Sequence, residues 1–173
     1  KHTGQTASIY LTDRIAEEKG RTQIGSLVHT VALKQGPVFL TAVPDNKQAS
    51  IAPNLNWLPY GSVVMADQGF PYLRRYRNLQ YREVNHSVRA KDTKRNKWGR
   101  NRWSRNGINN QVAEGIQRTL KYSVLSAHGY IKPENMPLYL DEFSAIKGVR
   151  HFGIDNIANC INNSMSLGNM SLK

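Results

Sequence analysis

The sequence predicts an α/β domain, a mixed sheet with helices packed on its faces. Three observations carry this. Ser62–Asp67 is a short, continuous apolar run closing on an acid, the pattern of a strand inside a sheet. Leu27–Leu33 and Val38–Val43 flank the turn signal Gln35-Gly36-Pro37 and read as a hairpin. Val112, Ile116, Leu120 and Val124 recur every four residues, which makes one apolar stripe on a helix. Strands early and helices late, in a chain of 173 residues, fit one layered domain plus tails.

Taken in order, residues 1–8 are polar and expected to fray. Ser8–Asp13 is a short apolar run ending in an acid and reads as a strand. Arg14–Gly20 is charged, with a turn-like exit. The hairpin follows, and Pro44-Asp45-Asn46 stops it. Gln48–Leu58 reads as a helix that Pro53 breaks or delays. Pro59-Tyr60-Gly61 turns the chain into Ser62–Asp67, expected to be buried on both faces. Phe70–Asn78 reads as helix or turn, and Gln80–Asn85 as an edge strand that delivers His86. A basic insertion or linker spans about 88–107. The helix that Asn109 and Asn110 can cap then runs to Ala127-His128-Gly129. Pro133–Ile146 reads as another helix, and Ile154–Ile161 as a last turn or two. The domain is expected over residues 1–150, with 151–173 a partly disordered tail rich in Ser, Asn and Met.

Charge narrows the function classes. With 24 Lys+Arg against 12 Asp+Glu the net charge is +12, which predicts affinity for polyanions, nucleic acid first and an anionic membrane surface second. No run of about eighteen apolar residues is present, so no membrane span is expected, nor is a secretory leader. Cys160 is the only cysteine, which excludes an internal disulfide and a multi-cysteine zinc site and fits a reducing interior. The charge is concentrated. Arg74 to Arg105 holds twelve basic residues and two acids (Glu83, Asp92), so 12 − 2 gives +10 of the total. A charge run is commonly just a solvated face or arm. Trp98 and Trp103 among Arg95, Lys97, Arg100, Arg102 and Arg105 instead suit base stacking beside phosphate contact. Arg74 and Arg75 join this DNA-binding set.

The acids suggest chemistry. Two-metal phosphoryl transfer needs several carboxylates converging on one point, and magnesium prefers oxygen ligands. Asp67 ends a strand, where α/β sheets gather their sites. Glu114 lies 114 − 67 = 47 residues later and shares a helix face with Arg118 and Lys121. Asp13 is the one acid at a strand-like position before the hairpin. Each has a plainer reading: Asp67 as a turn former, Glu114 as solvated surface, Asp13 as a cap with Thr12. His86, beside Asn85 and Ser87, is a supporting candidate that also reads as a structural hydrogen-bonding residue. His29, His128 and His151 show no visible partners and take the structural reading, while Glu17-Glu18 and Asp141-Glu142 lie in charged or amphipathic surroundings and read as solvated surface.

Several pieces together resemble the DDE-type transposases of bacterial insertion sequences, in the ISXO-like branch related to Merlin elements. They are Gly61–Asp67, Glu83-Val84-Asn85-His86-Ser87, Asn109–Gly115 followed by Leu120-Lys121, and Tyr139-Leu140-Asp141-Glu142-Phe143, with Val43-Pro44-Asp45 upstream. The resemblance covers roughly residues 20–146 and is carried by the order and spacing of short pieces. It implies an RNase H-like fold and DNA strand cleavage and transfer dependent on Mg2+ or Mn2+. It implies metal ligation by Asp67 and Glu114, with Asn110 a rival or neighbour to Glu114, and DNA contact by Lys121. Asp13 takes the place of the first acid by order alone, since Asp13-Arg14-Ile15 lacks the family's Asp-Glu pair followed by Tyr and glycines. The expected partners are DNA and a second copy on paired transposon ends, with no membrane. The expected location is the nucleoid in a bacterial cytoplasm, or the nucleus of a eukaryote. No zinc ribbon or helix-turn-helix precedes the segment, so an isolated catalytic domain, a truncated copy or an inactive remnant is expected. Two readings stand beside the enzyme: a nucleic-acid-binding protein without catalysis, and a basic structural protein such as a ribosomal component.

Overall fold

The computed structural model describes residues 3–12, 17–20, 24–84, 104 and 106–155, the side chains of 150 and 152 excepted. Five strands form one sheet: β1 (Thr3–Leu11), β2 (Ser26–Leu33), β3 (Val38–Val43), β4 (Ser62–Asp67) and β5 (Leu79–Val84), in the order β3-β2-β1-β4-β5. β2 pairs antiparallel with both β1 and β3, while β4 runs parallel to β1 and β5 parallel to β4. This mixed α/β sheet has the RNase H-like arrangement. Between β3 and β4 lie α1 (Gln48–Ile51) and a 3-10 turn at Ala52–Asn54, the broken helix that Pro53 predicts. After β5 come α2 (Gln111–Ala127) and α3 (Met136–Phe152). α3 runs past the expected boundary at residue 150 and stops before Gly153, whose φ of 77° suits a residue without a side chain. Residues 156–173 lie outside the described residues.

The central strand starts earlier than its composition suggests. Residues 3–7, expected to fray, belong to the sheet, Gly4–Ala7 pairing with β2 and Thr3–Gln5 with β4 at Thr3↔Val63, Gly4↔Val64 and Gln5↔Met65. Polar Gln5 and Thr6 are buried there because each has a buried partner. Here tertiary pairing overrides local polarity. β4 also departs from expectation. Ser62, Val64 and Ala66 are buried, whereas Val63, Met65 and Asp67 are only half-buried, so just one of its faces is sealed.

Two cores hold the sheet. On one face Ala7, Leu11, Val28, Ala32, Val38 and Leu40 pack against Ala113, Leu120 and Val124 of α2 and Met136 and Leu140 of α3. α2 lies over β1 and β2, and α3 over β3. On the opposite face Leu27, Val31, Val64, Ala66 and Leu79 pack against Ile51, Leu55, Leu58, Phe70 and Leu73. The buried stripe of α2 is rotated from the expected one. Ala113, Gln117, Leu120 and Val124 face inward and Val112 is 48% exposed. A helix lying close to a sheet favours the small Ala113, and Gln117 is buried because its Nε2 donates to Thr30 Oγ1 at 3.2 Å.

One side chain ties α2 to β1. Asn110 is the N-cap residue but makes no side-chain cap bond. The cap comes instead from Gln5, whose Oε1 accepts from the amides of Val112 (2.8 Å) and Ala113 (3.4 Å), while its Nε2 donates to Asn109 Oδ1 (3.0 Å). Gln5→Leu removes a buried cap and leaves amides unsatisfied, a loss of about 2 kcal/mol. In thermal melting this corresponds to a drop of about 4–8 °C. Gln5→Glu keeps the acceptor and adds a charge that the helix N-terminus favours, so it costs less.

His29 is buried in β2 between Thr6 Oγ1 at Nε2 and Asn54 Nδ2, which donates to Nδ1 at 3.2 Å. Burial lowers its pKa from 6.5 to about 4. The unfolded chain therefore binds a proton that the folded chain refuses between pH 6.5 and about 4. The stabilising effect is complete above pH 6.5 and falls away as pH drops to about 4, by about 3 kcal/mol in all. Urea denaturation of wild type and His29→Gln across pH 7 to 4 tests this, since the variant loses that part of the acid slope.

Candidate active site

Asp67 ends β4 on the face that carries α2 and α3, since its strand neighbours Ser62, Val64 and Ala66 point the other way. Two bonds fix it. Its Oδ1 accepts from the Gly69 amide at 2.9 Å, and its backbone carbonyl accepts from the Tyr81 hydroxyl at 2.9 Å. Burial, with Glu83 adding to it, raises the Tyr81 pKa, so the hydroxyl stays protonated and remains a donor. A Cβ at position 69 would stand 2.9 Å from Asp67 Oδ1, which explains the glycine. The Asp-x-Gly spacing was the readable signal for this turn. Nothing in the sequence pointed to Tyr81 or to the cap by Gln5.

Glu114 lies in the first turn of α2, partly buried, and its amide donates to the Asn110 carbonyl at 3.0 Å. The direction it faces follows from the packing. Leu120, Ser123, Val124 and Ala127 line a cleft with Tyr139, Phe143 and Ile146 of α3, so that flank of α2 faces α3 and β3. Glu114, Gln117, Arg118 and Lys121 occupy the other flank and line a cleft of about 380 Å³ with Ile9 of β1 and Glu17. That flank looks toward β4. Asp67 and Glu114 are therefore on the same side of the sheet, Asp67 at the end of β4 and Glu114 beside Ile9 of β1.

The other expected site residues separate into groups. Asn110 is fully buried under the start of α2. Lys121 forms an ion pair with Glu17, so Glu17 is a partly buried partner rather than free surface. Arg118 is exposed beside them. Arg74 lies on the 3-10 turn Pro71–Arg75, where Glu83 holds its guanidinium by contacts of 2.6, 2.9 and 3.1 Å, while Arg75 is exposed. Asp13, His86, Arg95, Lys97, Trp98, Arg100, Arg102, Trp103 and Arg105 lie outside the described residues. Among the described residues no three His, Cys, Asp or Glu side chains come together as a metal-holding group. No helix among them is long and apolar enough to cross a membrane.

Comparison with known proteins agrees with this architecture. No curated protein and no solved structure matches the chain. Residues 6–144 match the family model of the ISXO2-like transposase domain, which spans most of the sheet and helices described above. The chain belongs to the ISXO2-like transposase domain family.

Proposed function

We propose that the chain engages DNA as the core of a transposase, with Asp67 and Glu114 as the acids set against the phosphodiester. The reaction that goes with such a domain is DNA strand cleavage and transfer with a divalent metal ion. Water and then a DNA 3′-hydroxyl would each attack a phosphorus atom as a P–O bond breaks and its 3′-oxygen leaves. Asp67 and Glu114 would hold the metal, which would supply neutralisation of the phosphate charge. The expected third ligand, Asp13, lies outside the described residues. The observation supporting the two acids is their shared side of the sheet, one at a strand end and one on the flank of α2 that looks toward it. Basic residues dominate the stretch from Arg74 to Arg105, which suits a grip on backbone phosphates without base readout.

The fit to a metal pair is incomplete. A clamp of two ions needs several carboxylates at one point, and among the described residues no three such side chains come together. DNA engagement without self-sufficient cleavage is thus the reading this side-chain set favours. Asp67 and Glu114 would orient an ion or a water beside the bound strand.

Fluorescence anisotropy with a short duplex tests the proposal. If six or more phosphates are contacted, affinity falls by about a thousandfold or more between 50 and 200 mM salt. Unrelated duplexes should bind about equally. Asp67→Ala should leave this binding intact or slightly tighter, because it removes a negative charge, and should abolish any metal-dependent cleavage. Equal loss of both would remove Asp67 from the proposed role, and salt-insensitive or absent binding would remove DNA from it.

A further inference from the structure

We infer that residue 7 is the third position of the acidic site and that alanine there leaves a two-carboxylate site that holds at most one divalent ion. This rests on the reading of Asp67 and Glu114 given above. It adds which backbone position completes the set, and why the present chain does not.

The register supplies the first part. β1 and β4 are paired in parallel from Thr3↔Val63 to Gln5↔Met65, where the ladder ends, and counting two residues further on each strand sets Ala7 level with Asp67. Adjacent strands lie about 4.8 Å apart. Facing agrees. Gln5 and Ala7 point toward α2, one capping its amides and the other packing in its core, and Met65 and Asp67 point to the same side of β4. No other β1 residue meets both conditions. Thr6 and Ser8 point to the opposite face, Thr6 bonding buried His29 there, and Gln5 is committed to the cap.

The helix supplies the second part. Gln5 marks the level of Val112 and Ala113 on α2, and Ile9 shares a cleft with Glu114. Ala7 falls between Gln5 and Ile9 along β1 and packs in the same core as Ala113, and the extended register sets it level with Asp67. On its other side it faces Thr30 of β2, whose hydroxyl is taken by Gln117. A carboxylate at residue 7 would therefore stand between the two existing ones. Alanine instead adds one methyl group to the core beside Ala113 and provides no ligand. Leu11, the last residue of β1, is four positions beyond Ala7, about 13 Å along the strand. Asp13 follows two residues later, outside the described residues.

Manganese titration of the full-length chain, followed by electron paramagnetic resonance of free Mn2+, reads this without any requirement for activity. Wild type should take up at most one ion, weakly. Ala7→Asp should bind Mn2+ roughly tenfold more tightly or gain a second ion, because each added carboxylate raises affinity. Ala7→Asn has the same shape without the charge. It should bind as wild type does, and its melting curve shows whether the core accepts the added volume. Asp13→Ala should also match wild type. A wild-type chain that takes up two ions and loses them in Asp13→Ala overturns the inference, as does a cooperatively folded Ala7→Asp with no gain. If Ala7→Asp does not fold, the wild-type stoichiometry and the Asp13→Ala comparison still decide. Adding Asp67→Asn to Ala7→Asp separates the two levels. Loss of the gained binding supports both, and a gain that persists overturns the reading of Asp67 as its neighbour.

Discussion

The structure depends on the hydrogen bonds between Gln5 and the start of α2. A helix leaves its first amides without partners, and here a strand residue more than a hundred positions away supplies the acceptor. The contact does more than close a helix end. It fixes how far α2 can slide along β1 and so sets the level of Glu114 against the end of β4. A cap from Asn110 itself would have satisfied an amide while leaving that level undetermined. The buried Gln117–Thr30 bond acts one turn later in the same direction. Two polar anchors thus register a helix whose apolar contacts alone would tolerate rotation.

Around this anchor the two faces of the sheet have different work. One face is closed by α1, the adjoining 3-10 turns and Phe70, with neutral His29 bonded within it. Among the described residues, α2 and α3 close the other over β1, β2 and β3. The part over β4 is left with half-buried Val63, Met65 and Asp67. Asp67 lies on that side of the sheet at the end of β4, and Glu114 on α2 shares a cleft there with Ile9 of β1.

Much of this was legible from the residues. The hairpin, the strand ending at Asp67, the helix bearing Glu114 and the break at Pro53 all follow from periodicity and turn chemistry. The order of those pieces carried the family resemblance. The misreadings share a cause: burial decided by partners that lie far away in sequence. Residues 3–7 look like a frayed end until β2 and β4 flank them. Val112 looks like core until Ala113 takes the inward position. Asp13, expected as the early acid by order along the chain, lies outside the described residues. Counting on from the parallel ladder of β1 and β4 sets Ala7 level with Asp67, and alanine is a residue that no search for acids would notice.

The central claim is that Asp67, residue 7 and Glu114 frame one place and that this chain supplies carboxylates to two of the three corners. Anomalous scattering from a crystal of the wild-type chain soaked in Mn2+ tests it most directly. The account predicts at most one peak, within coordination distance of Asp67 and Glu114 and adjacent to the Ala7 methyl. Two peaks about 3.5–4 Å apart, bridged by a further carboxylate, or an Asp67 and Glu114 that bind no common ion while manganese sits elsewhere, would contradict it.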